Sequence, residues 1–251
     1  MKTWIKTILI LFVITVFSVV TIMAVKYIDD ITTLPDGFTI TAHSGSEGTP
    51  DNSVEFLKKA IELNVPVLEI DVTFRRDGTP VVIHKDVAGD REGMLLDDAI
   101  RYISENSQTV RINLDLKSVA NLPAVIEILD NYGMRERCFY TGVELRFVDA
   151  VRSDGRLPYY LNYSFNKFKR KNRKEHERIL AVVKDSGAIG LNCNQKLANR
   201  NLVAMFHENG LLVSYWTANS EKDMKKLLLI APDNITTRYP VMLTELVNEK
   251  N

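Results

Sequence analysis

From about residue 36 onward, short apolar runs alternate with segments whose apolar residues recur at helical spacing. Eight runs have the length and the β-branched or aromatic content of strands; they are residues 38–42, 67–72, 110–116, 138–141, 158–162, 188–192, 211–216 and 234–236. Six segments have helical spacing, and several end in Gly as helices do; they are residues 53–63, 97–106, 122–133, 174–187, 201–210 and 221–229. A repeated β-α order predicts a parallel sheet. Eight repeats in about 215 residues favour a closed (β/α)8 TIM barrel over an open sheet.

One stretch departs from the β-α alternation. The sequence DGTPVVIHKD, residues 77–86, places an Asp-Gly turn between two short strand-like runs. This pattern is typical of a β-hairpin, so we predict a hairpin that extends from the second strand and carries His84 at its end.

The N-terminus has a different pattern. Residues 7–25 contain no charge, Gly or Pro, and 19 helical residues rise about 28 Å, close to the hydrocarbon thickness of a bilayer. We therefore predict one transmembrane helix in an N-terminal anchor, residues 1–29, ahead of a barrel domain at 30–251. A buried core helix would show a polar stripe. A cleaved signal peptide would have a shorter apolar core and small residues at its cleavage site, so the uncleaved anchor is favoured.

Charges on the two sides of the predicted span indicate its orientation. Lys2 and Lys6 precede it, and Lys26, Asp29 and Asp30 follow it. Because positive residues prefer the cytoplasmic side, this asymmetry predicts a single-pass protein of the cell membrane with its barrel outside the cytoplasm.

Charge and cysteine content narrow the function only slightly. The chain has 32 basic and 32 acidic side chains, so it lacks the excess of Lys and Arg on which nucleic-acid binding depends, and we expect no nucleic-acid partner. Cys138 and Cys193 both fall in apolar, strand-like runs, which fits buried thiols as well as a disulfide. The sequence leaves the oligomeric state open.

Carboxylates follow the second and third predicted strands. Glu69 and Asp71 are two residues apart, so their side chains point to the same face of the strand, and Asp115 and Lys117 repeat this spacing. In a TIM barrel such strand ends meet at one mouth. Three converging carboxylates repel one another unless a cation compensates, so Glu69, Asp71 and Asp115 are candidate ligands for Ca²⁺ or Mg²⁺. Salt bridges to nearby basic residues are the alternative.

Two histidines belong to the same predicted mouth. His43 ends the first strand and His84 ends the hairpin. Imidazole transfers protons near neutral pH, so these two residues are a candidate acid/base pair around one phosphorus, with Lys117 offsetting charge on the phosphoryl oxygens. His176 and His207 lie on helix-like segments with charged neighbours, and we expect both at the surface.

With these residues in place, the chain resembles the glycerophosphodiester phosphodiesterase family of the phosphatidylinositol-specific phospholipase C-like barrels. The family shows H-R-G, P-E-N-T, E-x-D, a DG-x-x-V hairpin that ends in His, E-x-K, and a closing W-T-x-N segment. The matching stretches in order are HSG at 43–45, PDNS at 50–53, EID at 69–71, RDGTPVVIH at 76–84, DLK at 115–117 and the segment at 210–240.

The resemblance implies further site residues. It implies that Lys117 and Ser44 contact the phosphate, that Asn52 orders the first loop, and that Trp216 packs at the mouth, either as a core residue or as a platform for the substrate. Ser44 stands where the family has Arg, which removes a bidentate phosphate donor. Asp115 stands for Glu, and Arg75, Arg76 and Arg91 are candidates for a substitute cation.

We therefore expect a membrane-anchored, metal-dependent phosphodiesterase that splits a glycerophosphodiester, or a phospholipid head group, into an alcohol and glycerol 3-phosphate. Attack by a neighbouring substrate hydroxyl, giving a cyclic phosphate, is a variant of the same chemistry. The alternative from another class is a catalytically weak or inactive homologue that binds phosphodiester head groups or glycerol-phosphate polymers at the cell surface.

Overall fold

A closed ring of eight parallel strands forms the centre of the protein. The computed structural model describes residues 4, 11–23 and 33–250. Its strands are β1 (Thr39–Ala42), β2 (Val67–Phe74), β3 (Pro80–Val82), β4 (Met94–Leu95), β5 (Arg111–Leu116), β6 (Cys138–Val143), β7 (Tyr159–Asn162), β8 (Gly190–Asn194), β9 (Leu212–Trp216) and β10 (Asn234–Thr237). β1 pairs in parallel with both β2 and β10, and this closes the barrel. The predicted TIM barrel is confirmed.

Helices follow the barrel strands and cover their outer face. They are α1 (Val54–Glu62), α2 (Leu96–Asn106), α3 (Leu122–Asn131), the short α4 (Val148–Ala150), α5 (Arg173–Ser186), α6 (Arg200–His207), α7 (Glu221–Leu228) and α8 (Pro240–Asn248). The pattern predicted all of them except α4 and α8. α4 is too short to show a period. α8 begins at Pro240, a residue that suits the first position of a helix, but its N-cap Tyr239 makes no side-chain hydrogen bond, so its start carries a weaker signal than those of the capped helices.

The hairpin prediction is confirmed. β3 runs antiparallel to β2, with Val72 opposite Val82, and β4 adds a third strand. Just after β3, the Ile83 amide donates to the Asp71 carbonyl at 3.0 Å. His84 is thereby held beside the carboxyl end of β2, although it is not on a barrel strand.

Among the described residues, the hydrophobic core belongs to the barrel. Apolar side chains on the helix-facing side of the strands, such as Leu68, Ile70 and Val72, pack against the covering helices in one main cluster, whose described members all lie between Leu34 and Val247. A small second cluster, Val67, Phe139 and Tyr160, lies on the opposite face of the strands. Burial of this area is the main stabilising contribution to the fold. A fragment that begins at residue 33 therefore contains every described residue of the core and the closed hydrogen-bonded ring, and we expect it to fold on its own.

The structure decides between a disulfide and two free thiols. Cys138 and Cys193 are both buried free thiols, and burial raises the pKa of the Cys138 thiol to about 12. They act as small apolar core residues rather than as a cross-link.

The predicted membrane span does not find support in the described residues. Within them, no helix combines the length and the apolar character needed to cross a bilayer. Residues 11–23 are helical with exposed side chains, while residues 7–10 and 24–25 of the predicted span lie outside the described part of the chain.

The surface prediction is right for one histidine and wrong for the other. His207, at the end of α6, lies at the surface and pairs with Asp233 at 2.8 Å. His176 is buried, and its Nε2 lies 2.8 Å from the Arg170 carbonyl oxygen. Glu177 and Arg178 lie on the exposed face of α5, whereas Glu175 and His176 lie on its buried face.

Candidate active site at the barrel mouth

Six of the nine predicted site residues line one cavity of about 390 Å³ at the C-terminal ends of the strands. Those that line it are His43, Glu69, His84, Asp115, Lys117 and Trp216. Asp71 adjoins this cavity through contacts with two of the lining residues, His84 and Lys117. The sequence therefore predicted a group of side chains that the fold does bring together.

Three carboxylates form a compact cluster at the floor of the cavity. β2 and β5 pair with Asp71 opposite Asp115, while Glu69 lies two residues below Asp71 on the same face. One ligand oxygen from each residue lies within 4.8 Å of the other two. Glu69 and Asp71 are buried, and Asp115 is partly buried. This donor set of hard oxygens fits Ca²⁺ or Mg²⁺.

Lys117 lies among these carboxylates. Its ammonium is 2.8 Å from Asp71 Oδ1 and also contacts Asp115 Oδ2. Salt bridging, the alternative raised from the sequence, thus holds for two of the three acids. Three carboxylates and one ammonium still sum to a net charge of −2 when all are ionised, which a divalent cation would balance.

The pKa shifts within the cluster also favour a bound cation. Burial raises the pKa of the Glu69 carboxyl well above its usual range, and the charges of Asp71 and Asp115 add to the rise. Burial would also raise the pKa of Asp71, but the Lys117 charge and hydrogen bonds from Asn52 and Lys117 lower it overall. Burial lowers the pKa of Lys117, and its two carboxylate partners more than reverse this. Glu69 is the acid that a cation would stabilise most in its ionised form.

Hydrogen bonds orient the two histidines. His43 Nδ1 lies 2.9 Å from the Ser44 carbonyl oxygen, and because a carbonyl only accepts, we assign the proton to Nδ1 and the lone pair to Nε2. His84 Nδ1 lies 3.1 Å from Asp71 Oδ1. The His84 ring is 69% exposed at the mouth. Each ring is thus held through Nδ1, which leaves Nε2 to exchange protons with a ligand.

The loop after β1 supports the carboxylates from behind. The buried Ser44 donates its amide to Glu69 Oε2 at 2.9 Å, and its hydroxyl accepts from the Asn52 amide at 2.7 Å. The Asn52 side chain donates to Asp71 Oδ2 and accepts from the Asp71 amide, at 2.7 and 3.0 Å. Asn52 has a φ of 54°, which Asn tolerates better than most residues. Neither Ser44 nor Asn52 is among the residues that line the cavity.

An ion pair between distant parts of the chain closes this loop. Arg238, just after β10, donates to both carboxylate oxygens of Asp51 at 2.6 and 3.0 Å. The pair packs over Gly45, where a Cβ would lie 1.9 Å from Asp51 Oδ1 and where φ is +75°. Only glycine fits there. The role of Arg238 was not predicted from the sequence, because its partner lies 187 positions away.

The cations that line the cavity differ from the predicted substitutes. Arg75 donates to the Glu92 and Gly93 carbonyls, and Arg75, Arg76 and Arg91 are all absent from the cavity lining of the described chain. Arg146 lines the cavity together with Lys117, although the sequence did not predict it. Arg146 follows β6, pairs with Glu144 at 2.8 Å and lies over the Phe147 ring.

Two polar atoms at the cavity wall lack a partner. The Trp216 Nε1 and the Asn192 Oδ1 are buried, line the cavity, and have no hydrogen-bond partner among the described residues. Buried polar groups are normally paired, so such atoms at a cavity are candidate ligand contacts. This favours a substrate role over a pure packing role for Trp216.

The fold and the site define a (β/α)8-barrel protein that gathers two histidines and a cluster of three carboxylates at one mouth. No family model matches the chain. The chain is 24% identical to a glycerophosphodiester phosphodiesterase of Caldanaerobacter subterraneus over 84% of its own length and 98% of the relative. It is 22% identical to a glycerophosphodiester phosphodiesterase of Bacillus subtilis over 82% of its length and 85% of the relative.

Solved structures agree on the fold. A glycerophosphoryl diester phosphodiesterase from Silicibacter pomeroyi superposes with a TM-score of 0.72 at 18% identity, covering 88% of this chain and 97% of that one. An Oleispira antarctica phosphodiesterase, solved with the product sn-glycerol-3-phosphate, gives 0.68 at 20% identity, covering 86% and 97%. The proteins to which this chain is similar are glycerophosphodiester phosphodiesterases, a class of phosphoric diester hydrolases, and the resemblance indicated by the motifs is confirmed.

Proposed function

We propose that the protein hydrolyses glycerophosphodiesters to an alcohol and glycerol 3-phosphate. The observation that carries the proposal is the cavity itself, where His43 and His84 stand beside a cluster of three carboxylates. Two proton-transfer groups and a cation-binding cluster are the parts that in-line displacement at a phosphate diester requires. The names of the relatives, glycerophosphodiester phosphodiesterases, support the choice of substrate class.

Glu69, Asp71 and Asp115 are the proposed ligands of Ca²⁺ or Mg²⁺. Their compact oxygen donor set and the raised pKa of Glu69 support this assignment. The cation, when bound, would offset negative charge on the phosphate oxygens. Ser44 and Asn52 act on the ligands rather than on the substrate, since they bond to Glu69 and Asp71 and hold the two carboxylates in place.

His43 and His84 are the proposed acid/base pair. His43 Nε2 has a free lone pair and accepts the proton of the attacking water. His84 gives a proton from Nε2 to the leaving alcohol oxygen as the P–O bond breaks, and Asp71 holds its ring throughout. If a neighbouring hydroxyl of the substrate attacks instead of water, the same two transfers give a cyclic phosphate.

The remaining groups at the wall bind and orient the substrate. Lys117 and Arg146 are the proposed cations for the phosphate, in place of the Arg that Ser44 replaces. Trp216 Nε1 and Asn192 Oδ1 are a donor and an acceptor suited to the hydroxyls of a glycerol group.

Arg146→Ala is expected to raise KM roughly tenfold, the low end of the effect of losing a charge-assisted hydrogen bond of about 1.5–3 kcal/mol, because Arg146 is exposed and water screens its charge. kcat should change little, since the histidines stay in place. Steady-state kinetics with glycerophosphoglycerol measure both values. Arg146→Lys, which keeps the charge without the fork of donors, should give a smaller rise. An unchanged KM for Arg146→Ala would remove Arg146 from the substrate site.

The decisive experiment uses the fragment from residue 33. Glycerophosphocholine, glycerophosphoethanolamine and glycerophosphoglycerol are offered with Ca²⁺, with Mg²⁺ or with a chelator, and glycerol 3-phosphate is measured. We expect turnover with a divalent cation and none with the chelator. Absence of turnover on all three substrates, with measurable binding of them, would overturn the enzyme proposal.

That outcome would support the second candidate, a catalytically weak or inactive homologue that binds phosphodiester head groups or polymers. Two observations favour it. Lys117 already pairs with two of the proposed ligands and offsets one of their charges, and Ser44 offers no cation to the phosphate. The pair of oriented histidines favours the enzyme.

The anchor at residues 1–29 and a barrel outside the cytoplasm are a further proposal. It rests on the uncharged run at 7–25 and the positive residues before it. Protease treatment of intact cells tests it, because a barrel on the cytoplasmic side would be protected.

A further inference from the structure

A strongly basic segment follows β7 on the same face as the active site. Residues 166–174 read NKFKRKNRK, and the chain as a whole has a net charge of zero. Its basic residues are Lys167, Lys169, Arg170, Lys171, Arg173 and Lys174. This concentration of charge is local and is not a property of the whole surface. We call residues 166–174, together with Lys196, the basic loop.

The basic loop adjoins the mouth of the barrel. β7 ends at Asn162, which lines the active-site cavity, and β8 ends just before Lys196. The loops that follow parallel strands lie on one face of a barrel. Residues from both loops surround a shallow surface pocket next to the mouth; they are Lys167, Phe168, Arg170, Lys171 and Lys196.

Much of this charge is uncompensated. Lys169 and Arg173 have acidic partners, Glu175 at 4.0 Å and Glu177 at 3.0 Å. Arg170, Lys171, Lys174 and Lys196 are exposed, and the described residues offer none of them an ion-pair partner within 4.0 Å. The basic loop is therefore available to an anionic partner.

An aromatic ring stands at the tip of the same loop. Phe168 is 85% exposed, and the Lys167 ammonium lies 5.2 Å from its ring centroid. Other large apolar side chains are exposed at the mouth, namely Leu145 after β6 and Tyr239 after β10. Exposure of the Phe168 ring to water is unfavourable, and moving the ring into an apolar phase would lower the free energy.

The basic loop has a defined conformation. The Asn166 side chain accepts from the Phe168 amide, and the Asn172 side chain caps α5 by accepting from the Glu175 amide. The buried His176 fixes the middle of the loop through its contact with the Arg170 carbonyl. Phe168 is thus presented outward by a hydrogen-bonded turn.

We propose that the basic loop docks the barrel onto an anionic lipid bilayer, with Phe168 inserted among the lipids and the mouth facing the head groups. Basic side chains near a membrane surface are attracted by anionic lipids, and an exposed aromatic ring adds apolar burial at the interface. A soluble polyanion would engage the charges but would leave Phe168 in water. The docking surface goes beyond hydrolysis and does not depend on it.

Vesicle binding by the fragment from residue 33 tests the proposal, because this fragment lacks the apolar N-terminal run. Cosedimentation is measured with vesicles of phosphatidylcholine alone and with vesicles of three parts phosphatidylcholine to one part phosphatidylglycerol. We expect binding to the anionic vesicles only, and its loss when the ionic strength rises from about 0.05 M to about 0.5 M.

Matched variants test whether the basic loop is the surface that binds the vesicles. Arg170→Gln, Lys171→Gln and Lys196→Gln combined should weaken binding at least tenfold, as three charges near an anionic surface imply. Lys58→Gln, Lys222→Gln and Lys226→Gln combined remove the same charge from exposed positions on α1 and α7 and should leave binding unchanged. Thermal unfolding confirms that each variant is folded.

Phe168→Ala separates a bilayer from a soluble polyanion. It should weaken vesicle binding several-fold and leave binding to poly(glycerol phosphate) in solution unchanged. Three results would overturn the proposal: no binding to the anionic vesicles, equal losses in the two triple variants, or Phe168→Ala without effect on the vesicles.

Discussion

His84→Ala is expected to lower kcat by about 10²- to 10⁴-fold, the usual contribution of a positioned acid or base. His43→Ala should cost a similar factor. The two rings lie at one cavity and are each held through Nδ1, so no other described imidazole can take over either proton transfer. Initial-rate kinetics of the fragment from residue 33, with saturating cation and glycerophosphodiester, measure the loss.

The pH profile separates proton transfer from a merely structural role. An acid and a base together give a bell-shaped dependence of the rate on pH. His84→Ala and His43→Ala should therefore each lose one side of the bell, and added imidazole should restore part of the rate. His207→Ala is the control, since His207 lies at the surface, outside the cavity lining. A His84→Ala enzyme with an unchanged rate and both limbs intact would refute its assignment.

The sequence predicted the parts of this site that follow from local periodicity. Alternation along a strand places Glu69 and Asp71 on one face, and parallel strands bring their C-terminal ends to one mouth. The Asp77-Gly78 turn returned the chain so that His84 meets Asp71 at 3.1 Å. Each of these inferences needed only neighbours in sequence and the geometry of regular strands.

The parts that were missed depend on contacts between distant segments. Nothing in the neighbourhood of Arg238 indicates that it bonds to Asp51, 187 positions away. His176 has charged neighbours in sequence, but the side of α5 on which it lies is set by packing against the barrel. Arg146 follows β6 in a loop whose course toward the cavity has no period to reveal it.

Ser44 shows why a motif position does not define a role. By resemblance it stands where an Arg would contact the phosphate, yet its hydroxyl accepts a hydrogen bond from the Asn52 amide at 2.7 Å. Asn52 in turn holds Asp71, which holds His84. In the structure Ser44 therefore supports the proposed ligands and does not line the cavity, and the cations that we propose for the phosphate are Lys117 and Arg146.

Glu69→Gln is expected to weaken the response to divalent cations strongly while leaving the fold intact. Removal of one of three anionic ligands lowers cation affinity, because hard cations bind in proportion to ligand charge. Gln keeps the size and a side-chain oxygen that can accept from the Ser44 amide, as Glu69 does at 2.9 Å. Activity at a fixed cation concentration should fall by at least about a hundredfold, with recovery only at much higher cation.

Thermal unfolding gives a readout that is independent of activity. A cation at a hundred times its Kd stabilises by about 2.7 kcal/mol, which raises Tm by roughly 5 to 10 °C for a chain of this size. The unchanged protein should show this rise and Glu69→Gln should not. Without cation, Glu69→Gln should unfold at the same temperature or higher, since the raised pKa of Glu69 reflects burial next to two like charges.

Glu105→Gln is the matched control, because it removes the same charge from an exposed position on α2. It should keep both the activity and the rise in Tm. If Glu69→Gln retained the full rise, the cation would bind elsewhere. If the unchanged protein showed no rise with Ca²⁺ or Mg²⁺, the Lys117 ammonium alone would satisfy Asp71 and Asp115, and the cluster would be a salt-bridge network rather than a metal site.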